Sequence, residues 1–415
     1  MRKERIELLS PVGSFDCLQA AIKAGANAVY FGVEQLNMRA RAINAFSISD
    51  IGEISKRCKA SNIKAYITLN TVVYEHDLKL LRKILIEVVK CQIDAVIASD
   101  FAVISYAKEL QIPIHISTQA NISNLESAIY YAGFADVIIL ARELTLKQVA
   151  HICKEIERKQ IKGVSGELLR IEIYIHGALC MAISGKCYLS LHTHNASANR
   201  GACMQNCRRP YYVKDATSGE ELLIDNEYIL SPKDLCAIDF LDQIVNSGVD
   251  VLKIEGRSKG PDYVYTVTKC YREALKALEN ETYSTDKILS WKKELSSVYN
   301  RGFWGGYYLG RNLGEWTKYS GSAATEKKIY VGKGVKYYSK INVGEYLIEA
   351  GSIKIGDTLM FTGPAIGVIK EKLLELTVNG IRGEQALKGD RITISVEAKV
   401  TLQDKLYKMI PSSDE

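Results

Sequence analysis

The amino-acid sequence predicts an α/β protein built on a closed (β/α)8 barrel of the TIM type, and three observations carry that expectation. Short β-branched runs alternate with amphipathic helical stretches from the first residues to about position 280, the pattern of parallel strands joined by crossover helices. Eight such runs can be counted, the number a TIM barrel needs. One interval between runs is far longer than the others, as expected where a barrel carries an elaborated loop on its functional face. The same alternation also fits an open, doubly wound sheet, which is the runner-up.

The strands are expected at IELLS (6–10), AVYFG (28–32), KAYITLN (64–70), AVIAS (95–99), PIHIST (113–118), DVIILA (136–141), RIEIYIHG (170–177) and DVLKIEG (250–256). Helical stretches such as HDLKLLRKILIEVVKCQ and PDYVYTVTKCYREALKALEN follow them. The barrel therefore spans 1–280, with an insertion at 178–249 leaving the C-terminal end of the seventh strand. That insertion contains a turn-rich stretch, DATSGEELLIDNEY, and an expected helix, PKDLCAIDFLDQIVNSG, whose last residue Gly248 suits a C-terminal cap. Residues 281–326 read as a polar connector. From 327 to 415 short strands separated by Gly, Asn and Asp turns predict a small β-barrel, with 14 Lys+Arg against 11 Asp+Glu.

The chain has 415 residues, 47% of them apolar, and a formal charge of +6. That is a mildly basic balance, compatible with a nucleic-acid partner without requiring one. MRKERIELLS runs straight into a strand without the apolar core of a secretory signal, and no apolar run reaches the roughly 18 residues of a membrane span. A cytoplasmic protein with reduced cysteines and no membrane association is the resulting expectation.

Of ten cysteines, five (Cys180, Cys187, Cys203, Cys207 and Cys236) fall within 57 residues. Cys180, Cys187, Cys203 and Cys207 have the spacing C-x6-C-x15-C-x3-C. Four thiolates can complete the shell of a 4Fe–4S cluster or of a tetrahedral zinc ion, or remain unligated. The spacing favours iron, because structural zinc sites usually show two short knuckles and only Cys203 and Cys207 are that close. Cys236, between apolar neighbours, suits a buried small hydrophobe or a spare ligand.

Polar residues at the C-terminal ends of barrel strands are expected to face substrate. For catalysis these are Asp100, His115, Gln119, Arg142, Glu143, Lys253 and Glu255; for substrate binding, Arg39, Arg41, Asn70, His176 and Arg257. Structural alternatives stand beside several of them. Asp100 could cap the next helix, His115 could be a satisfied barrel histidine, and the period of two puts Lys253 and Glu255 on one strand face, where an interior ion pair competes with catalysis. His192 and His194 are either solvated loop or partners of the cysteine site. There is no HExxH zinc helix and no G-x-S-x-G elbow.

EIYIHGALCMAISGKCYLS (172–190), NRGACMQNCRRPYY (199–212), SPKDLCAIDFL (231–241), LKIEGRSK (252–259) and NRGFWGGYYLG (300–310) resemble, in order, the blocks of the collagenase-like peptidase family, also called the ubiquinone and RNA hydroxylation family. The resemblance covers essentially the whole chain. It implies a (β/α)8 barrel with a C-terminal β-barrel, and a 4Fe–4S cluster on Cys180, Cys187, Cys203 and Cys207. It further implies oxygen-independent hydroxylation of RNA, most closely of the tRNA type: 5-hydroxyuridine at the wobble position, prephenate as co-substrate, tRNA as partner, and room for a protein partner or paralogue. Peptidase activity, the older family label, and a non-catalytic iron–sulfur scaffold are the competing readings.

Overall fold

The computed structural model describes residues 6–39, 46–211, 228–310, 315–318, 321–396 and 399–412. Arg41 and all but the last residue of the turn-rich stretch at 215–228 lie outside the described residues.

The chain begins with β1 (Glu7–Pro11), α1 (Phe15–Lys23), β2 (Ala28–Phe31), α2 (Ile51–Ala60), β3 (Lys64–Leu69) and α3 (Leu78–Cys91). It continues through β4 (Ala95–Ala98), α4 (Phe101–Glu109), β5 (Ile114–Ile116), α5 (Leu125–Ala132), β6 (Val137–Ile139), α6 (Leu146–Lys159) and β7 (Arg170–Gly177). The long insertion holds α7 (Leu189–His194), β8 (Asp234–Cys236) and α8 (Leu241–Asn246); β9 (Val251–Ile254) then completes the barrel, followed by α9 (Pro261–Glu279), α10 (Thr285–Ser297) and β10 (Phe303–Trp304).

Each barrel strand is parallel to its neighbours, and β9 pairs with both β1 and β7. The ring of β1 to β7 plus β9 is therefore closed, which excludes the open doubly wound sheet. Local sequence explains the helices. In α3 the apolar residues Leu81, Ile84, Leu85 and Val88 recur at helical spacing and are buried. Asp100, Asn124 and Thr145 accept from backbone N–H groups in the first turns of α4, α5 and α6.

Where β7 leaves the barrel, Gly177 adopts a φ of +103°, and a Cβ there would stand 2.4 Å from the Glu255 carbonyl oxygen. Only glycine allows the strand to pass this close to β9 on its way into the cysteine loop. The helix expected over 232–248 forms only at Leu241–Asn246. Residues Asp234–Cys236 are instead a strand, pairing antiparallel with His176 and Gly177. The reason is tertiary: β7 runs beyond the barrel, its backbone there is satisfied by β8, and β10 pairs with the far side of β8. Gly248 does follow α8 in a left-handed conformation, at φ +87°. The stretch expected as connector contains the 13-residue α10, whose Trp291 and Leu295 are buried.

Beyond it lie β11 (Glu326–Tyr338), β12 (Val343–Ile348), β13 (Ser352–Lys354), β14 (Thr358–Gly363), β15 (Gly367–Lys372), β16 (Thr377–Val378), β17 (Ile381–Arg382), β18 (Gln385–Leu387), β19 (Arg391–Ser395) and β20 (Lys405–Pro411). Eight of these form an antiparallel sheet in the order β15-β14-β20-β11-β12-β19-β16-β17, and β13 pairs with β18. They enclose a second core around Val331, Tyr346, Phe361 and Ile392. A cavity of about 730 Å³ between α9, α10 and this sheet is crossed by the ion pairs Lys328–Asp262 (2.6 Å), Lys269–Glu294 (3.0 Å) and Lys370–Glu326 (2.5 Å), so its charge is internally balanced. No helix among the described residues is long and apolar enough to cross a membrane.

Candidate functional site

The barrel interior is layered by charge. At the N-terminal end Glu7 receives a hydrogen bond from the Tyr66 hydroxyl (2.7 Å) and ion pairs from Lys64 (3.1 Å) and Arg170 (3.3 Å). In the middle Lys253 Nζ lies 2.7 Å from Glu172 Oε1 with both side chains buried, and 4.4 Å from the centre of the Tyr30 ring. His115 stands beside this pair, its Nδ1 4.0 Å from Glu172 Oε2, with neither atom hydrogen-bonded. Burial pushes the His115 imidazole down to about 3, so it is neutral at ordinary pH.

At the C-terminal mouth the balance changes. Glu255 Oε1 is 2.7 Å from Arg39 Nη2, and its Oε2 accepts from Tyr30 (3.3 Å). Burial would raise the Glu255 pKa, yet the guanidinium groups of Arg39, Arg142 and Arg257 outweigh it and hold the carboxyl at about 2. Arg257 donates to Asn37 (3.2 Å) and Thr68. Arg142 lies 3.9 Å over the Tyr174 ring and donates to the Ala178 carbonyl (3.1 Å). Three arginines face one carboxylate, and the buried Nε of Arg39 and of Arg142 have no acceptor. This is a receptive site for an anion, with carboxylates the best match to guanidinium geometry.

The insertion closes over one side of the mouth. Arg200 grips Asp77 (2.6 Å) and the Val72 carbonyl (3.2 Å) and lies 4.0 Å over the Tyr74 ring, while the Asn199 carbonyl accepts from Val72 N (3.2 Å). Arg208 spans the other side, donating to Leu179 O (2.6 Å), Pro232 O (2.7 Å) and Ser231 Oγ (3.0 Å). Asn199 Oδ1 receives Cys187 N at 3.1 Å. The thiols of Cys180, Cys187, Cys203 and Cys207 are free, and all four come within electrostatic range: burial first raises the Cys207 pKa, the other three thiols add to it, and Arg208 opposes. Among the described residues, no three His, Cys, Asp or Glu are drawn together around a single ion. Arg39 senses both Glu255 and Cys203, and Arg142 both Glu255 and Cys180, so the arginine mouth and the cysteine loop adjoin.

The remaining candidates separate by place. Asn70 and Gln119 meet at the ends of β3 and β5, with Asn70 Nδ2 3.0 Å from Gln119 Oε1. Asp100 Oδ1 accepts from Ala102 N and Oδ2 from Val73 N, each at 2.9 Å, so both oxygens serve the backbone. Glu143 is exposed. His176 is not at the mouth; it is packed among Tyr263, Tyr271 and Phe303, bonded to the Tyr271 hydroxyl (3.3 Å) and held down to about 3 by burial. His192 and His194 are both exposed; His194, the last residue of α7, contacts Asn206 (3.4 Å), next to Cys207. Cys236 is buried under Tyr271, its thiol pushed up to about 11 by burial.

Three residues at the rim were not singled out by sequence. Lys259 stacks 3.0 Å over Tyr299, and burial, followed by Arg301, lowers its ammonium to about 7. Arg301 itself pairs with Asp234 at 3.2 Å inside the protein, and Arg208 anchors the cysteine loop. Their signal was the blocks LKIEGRSK, NRGACMQNCRRPYY and NRGFWGGYYLG, which sequence shows only as separate segments.

Residues 13–318 match the model of Peptidase family U32. A collagenase of Porphyromonas gingivalis is 53% identical over 98% of this chain and 99% of its own length. A tRNA hydroxylation protein P of Helicobacter pylori is 34% identical over 74% of this chain and 72% of its own. A 23S rRNA 5-hydroxycytidine synthase of Escherichia coli is 36% identical over 67% of this chain and 40% of its own.

Proposed function

The chain belongs to peptidase family U32, and from that premise we propose that it is an RNA-modifying, iron–sulfur protein that hydroxylates a pyrimidine at carbon 5. The specific reading is prephenate-dependent conversion of the tRNA wobble uridine to 5-hydroxyuridine, in the cytoplasm. The observation that carries it is the adjacency of an arginine-rich barrel mouth and a loop whose four thiols lie within electrostatic range of one another, with Arg39 and Arg142 close to both. Relatives named for tRNA hydroxylation and for 5-hydroxycytidine synthesis in rRNA support the substrate class.

Each part of the site has a task in this reading. Cys180, Cys187, Cys203 and Cys207 would hold a 4Fe–4S cluster: the donor set is all sulfur, and glycines at 185 and 201 permit the turns between ligands. When bound, such a cluster supplies one-electron chemistry beside the mouth. Arg39, Arg142 and Arg257 would seat the two carboxylates of prephenate, the unpartnered Nε groups gaining acceptors. Exposed Tyr188, Tyr74 and Phe101 around the insertion offer ring faces for stacking unpaired bases. Against a peptidase, burial holds the imidazoles of His115 and His176 at about 3, too weakly basic to activate a nucleophile, and they face Glu172 and Tyr271.

Deleting the gene in a strain without paralogues should remove 5-hydroxyuridine derivatives from its tRNA by nucleoside mass spectrometry; unchanged levels would overturn the assignment. The collagenase name borne by the relative at 53% identity sets the competing outcome. Hydrolysis of gelatin by the anaerobically purified protein, lost in Cys203→Ala, would restore the peptidase reading.

A further inference from the structure

A cavity of about 290 Å³ opens beside the arginine mouth, where β3, β4 and β5 end against the cysteine loop. Asn70, Ser99 and Gln119 line it from the barrel, Gly185 and Lys186 from the insertion, and Phe101 stands at its rim, 55% exposed. Its volume is at the small end of ligand pockets, about 300 Å³, suited to a single ring.

Its polar groups are fixed and incompletely satisfied. Asn70 is 8% exposed, and its Nδ2 donates to Ser117 Oγ (3.1 Å) and Gln119 Oε1 (3.0 Å), which leaves Oδ1 without a donor. Gln119 Oε1 also accepts from the Ser117 hydroxyl. That orients the Gln119 amide and leaves its Nε2 with no acceptor among the described residues. A buried acceptor with no donor is destabilising, so the cavity favours a ligand presenting a donor to Asn70 and an acceptor to Gln119. The N3–H of uracil and its flanking carbonyl have this order, and an exposed phenyl ring at the entrance can meet the face of the base.

The cysteine loop forms the wall that holds the reader in place. Gly185, at φ +73°, lies so close to Gln119 that a Cβ would stand 2.8 Å from Gln119 Cγ. Two residues on, Cys187 is tied to Asn199, whose backbone is tied to Val72 beside Asn70. The position of the Gln119 amide therefore depends on the docked insertion.

We propose that this cavity is the nucleobase pocket of the RNA-hydroxylation site: it takes a flipped uracil, Asn70 Oδ1 accepting from N3–H and Gln119 Nε2 donating to the adjacent carbonyl. The inference rests on the hydroxylation reading for its chemistry and on the cavity for its place. Uridine 5′-monophosphate, titrated to millimolar concentration against the cluster-loaded protein and followed by saturation-transfer NMR, should show transfer to H5 and H6. Asn70→Ala, the isosteric Gln119→Glu and Gly185→Ala should each weaken binding about tenfold or more, as expected when about 1.4 kcal/mol is lost, with iron content unchanged in the first two. Absence of transfer in the parent protein, equal affinity in all three variants, or equally strong binding of adenosine or cytidine 5′-monophosphate would overturn the proposal. Uridine binding that depends on Asn70 and Gln119, in a protein whose deletion leaves tRNA nucleosides unchanged, would keep the pocket and discard the tRNA reaction.

Discussion

At the N-terminal end of the barrel the Glu7 carboxylate has partners on both oxygens, Tyr66 on one and Lys64 with Arg170 on the other. At the C-terminal end Glu255 also has partners on both oxygens, yet three arginines surround it, and Arg39 and Arg142 each keep a buried N–H in reserve. The two networks use the same residue types in the same core. The lower one is complete and opens to water through the exposed Lys64, so it stabilises the strands and recruits nothing. The upper one has surplus positive charge around a mostly buried carboxylate, with Arg39 still a third exposed, an arrangement able to accept an anion. Between them the buried Lys253–Glu172 pair separates the structural end from the receptive one.

Breaking that separator should give the largest effect. Lys253→Ala takes the cation away from Glu172, whose pKa burial already raises, with an expected loss of about 3–5 kcal/mol by urea denaturation. Adding Glu172→Gln should recover most of it, because no ionisable group is then left without its partner. Recovery of stability without recovery of tRNA hydroxylation would move Lys253 from the separator into the reacting set.

Arg142→Ala removes a guanidinium that the upper network can spare structurally, since Glu255 keeps Arg39 at 2.7 Å. Hydroxylation in cells is expected to fall about a hundredfold, equivalent to about 2.7 kcal/mol of lost binding or transition-state energy. The iron content and Tm should stay near those of the parent. A variant that loses its iron would show instead that Arg142 serves the cysteine loop.

These contrasts mark what sequence could reveal. The period of two placed Lys253 and Glu255 on one interior face, and both are there. Their different fates depend on Glu172 and Arg39, brought in by β7 and by the loop after β2, and a strand pattern does not encode its partner's register. The three residues of β8 are too few to show a period, and they are extended only because β7 outruns the barrel. The anchoring of the cysteine loop by Arg208 on Leu179 and Pro232 is likewise tertiary. The four cysteines can be grouped from sequence because they lie within one segment.

Acid should probe the core beside these networks. His115 and His176 titrate at about 3 when folded and near 6.5 when unfolded. Between those values the unfolded chain binds more protons, so the stabilisation is complete above pH 6.5 and is lost as pH falls, by up to ~1.4 kcal/mol per pH unit for each histidine. Glu255, depressed to about 2, adds a loss of the same sign below about pH 4.5. Urea titrations between pH 7 and pH 4 should show a shallower decline in His115→Gln than in the parent. Parallel curves would mean that His115 is charged in the fold.

The smallest effect is expected at Asp100, where the strand-end rule and the geometry pull apart. Its oxygens hold Ala102 N and Val73 N, joining the start of α4 to the loop that carries Tyr74. Asparagine caps helices about as well as aspartate does, whereas alanine loses about 1 kcal/mol at such a position. Asp100→Ala should therefore lower stability by about 1 kcal/mol, and Asp100→Asn, which keeps an acceptor for Ala102 N but sets an amide N–H against Val73 N, should lower it by less and leave the yield of hydroxylated uridine close to the parent's. A residue that carries a proton in the reaction cannot be replaced by an amide. Loss of modification in Asp100→Asn with an unchanged Tm would thus place Asp100 with the upper network and not with the frame that supports it.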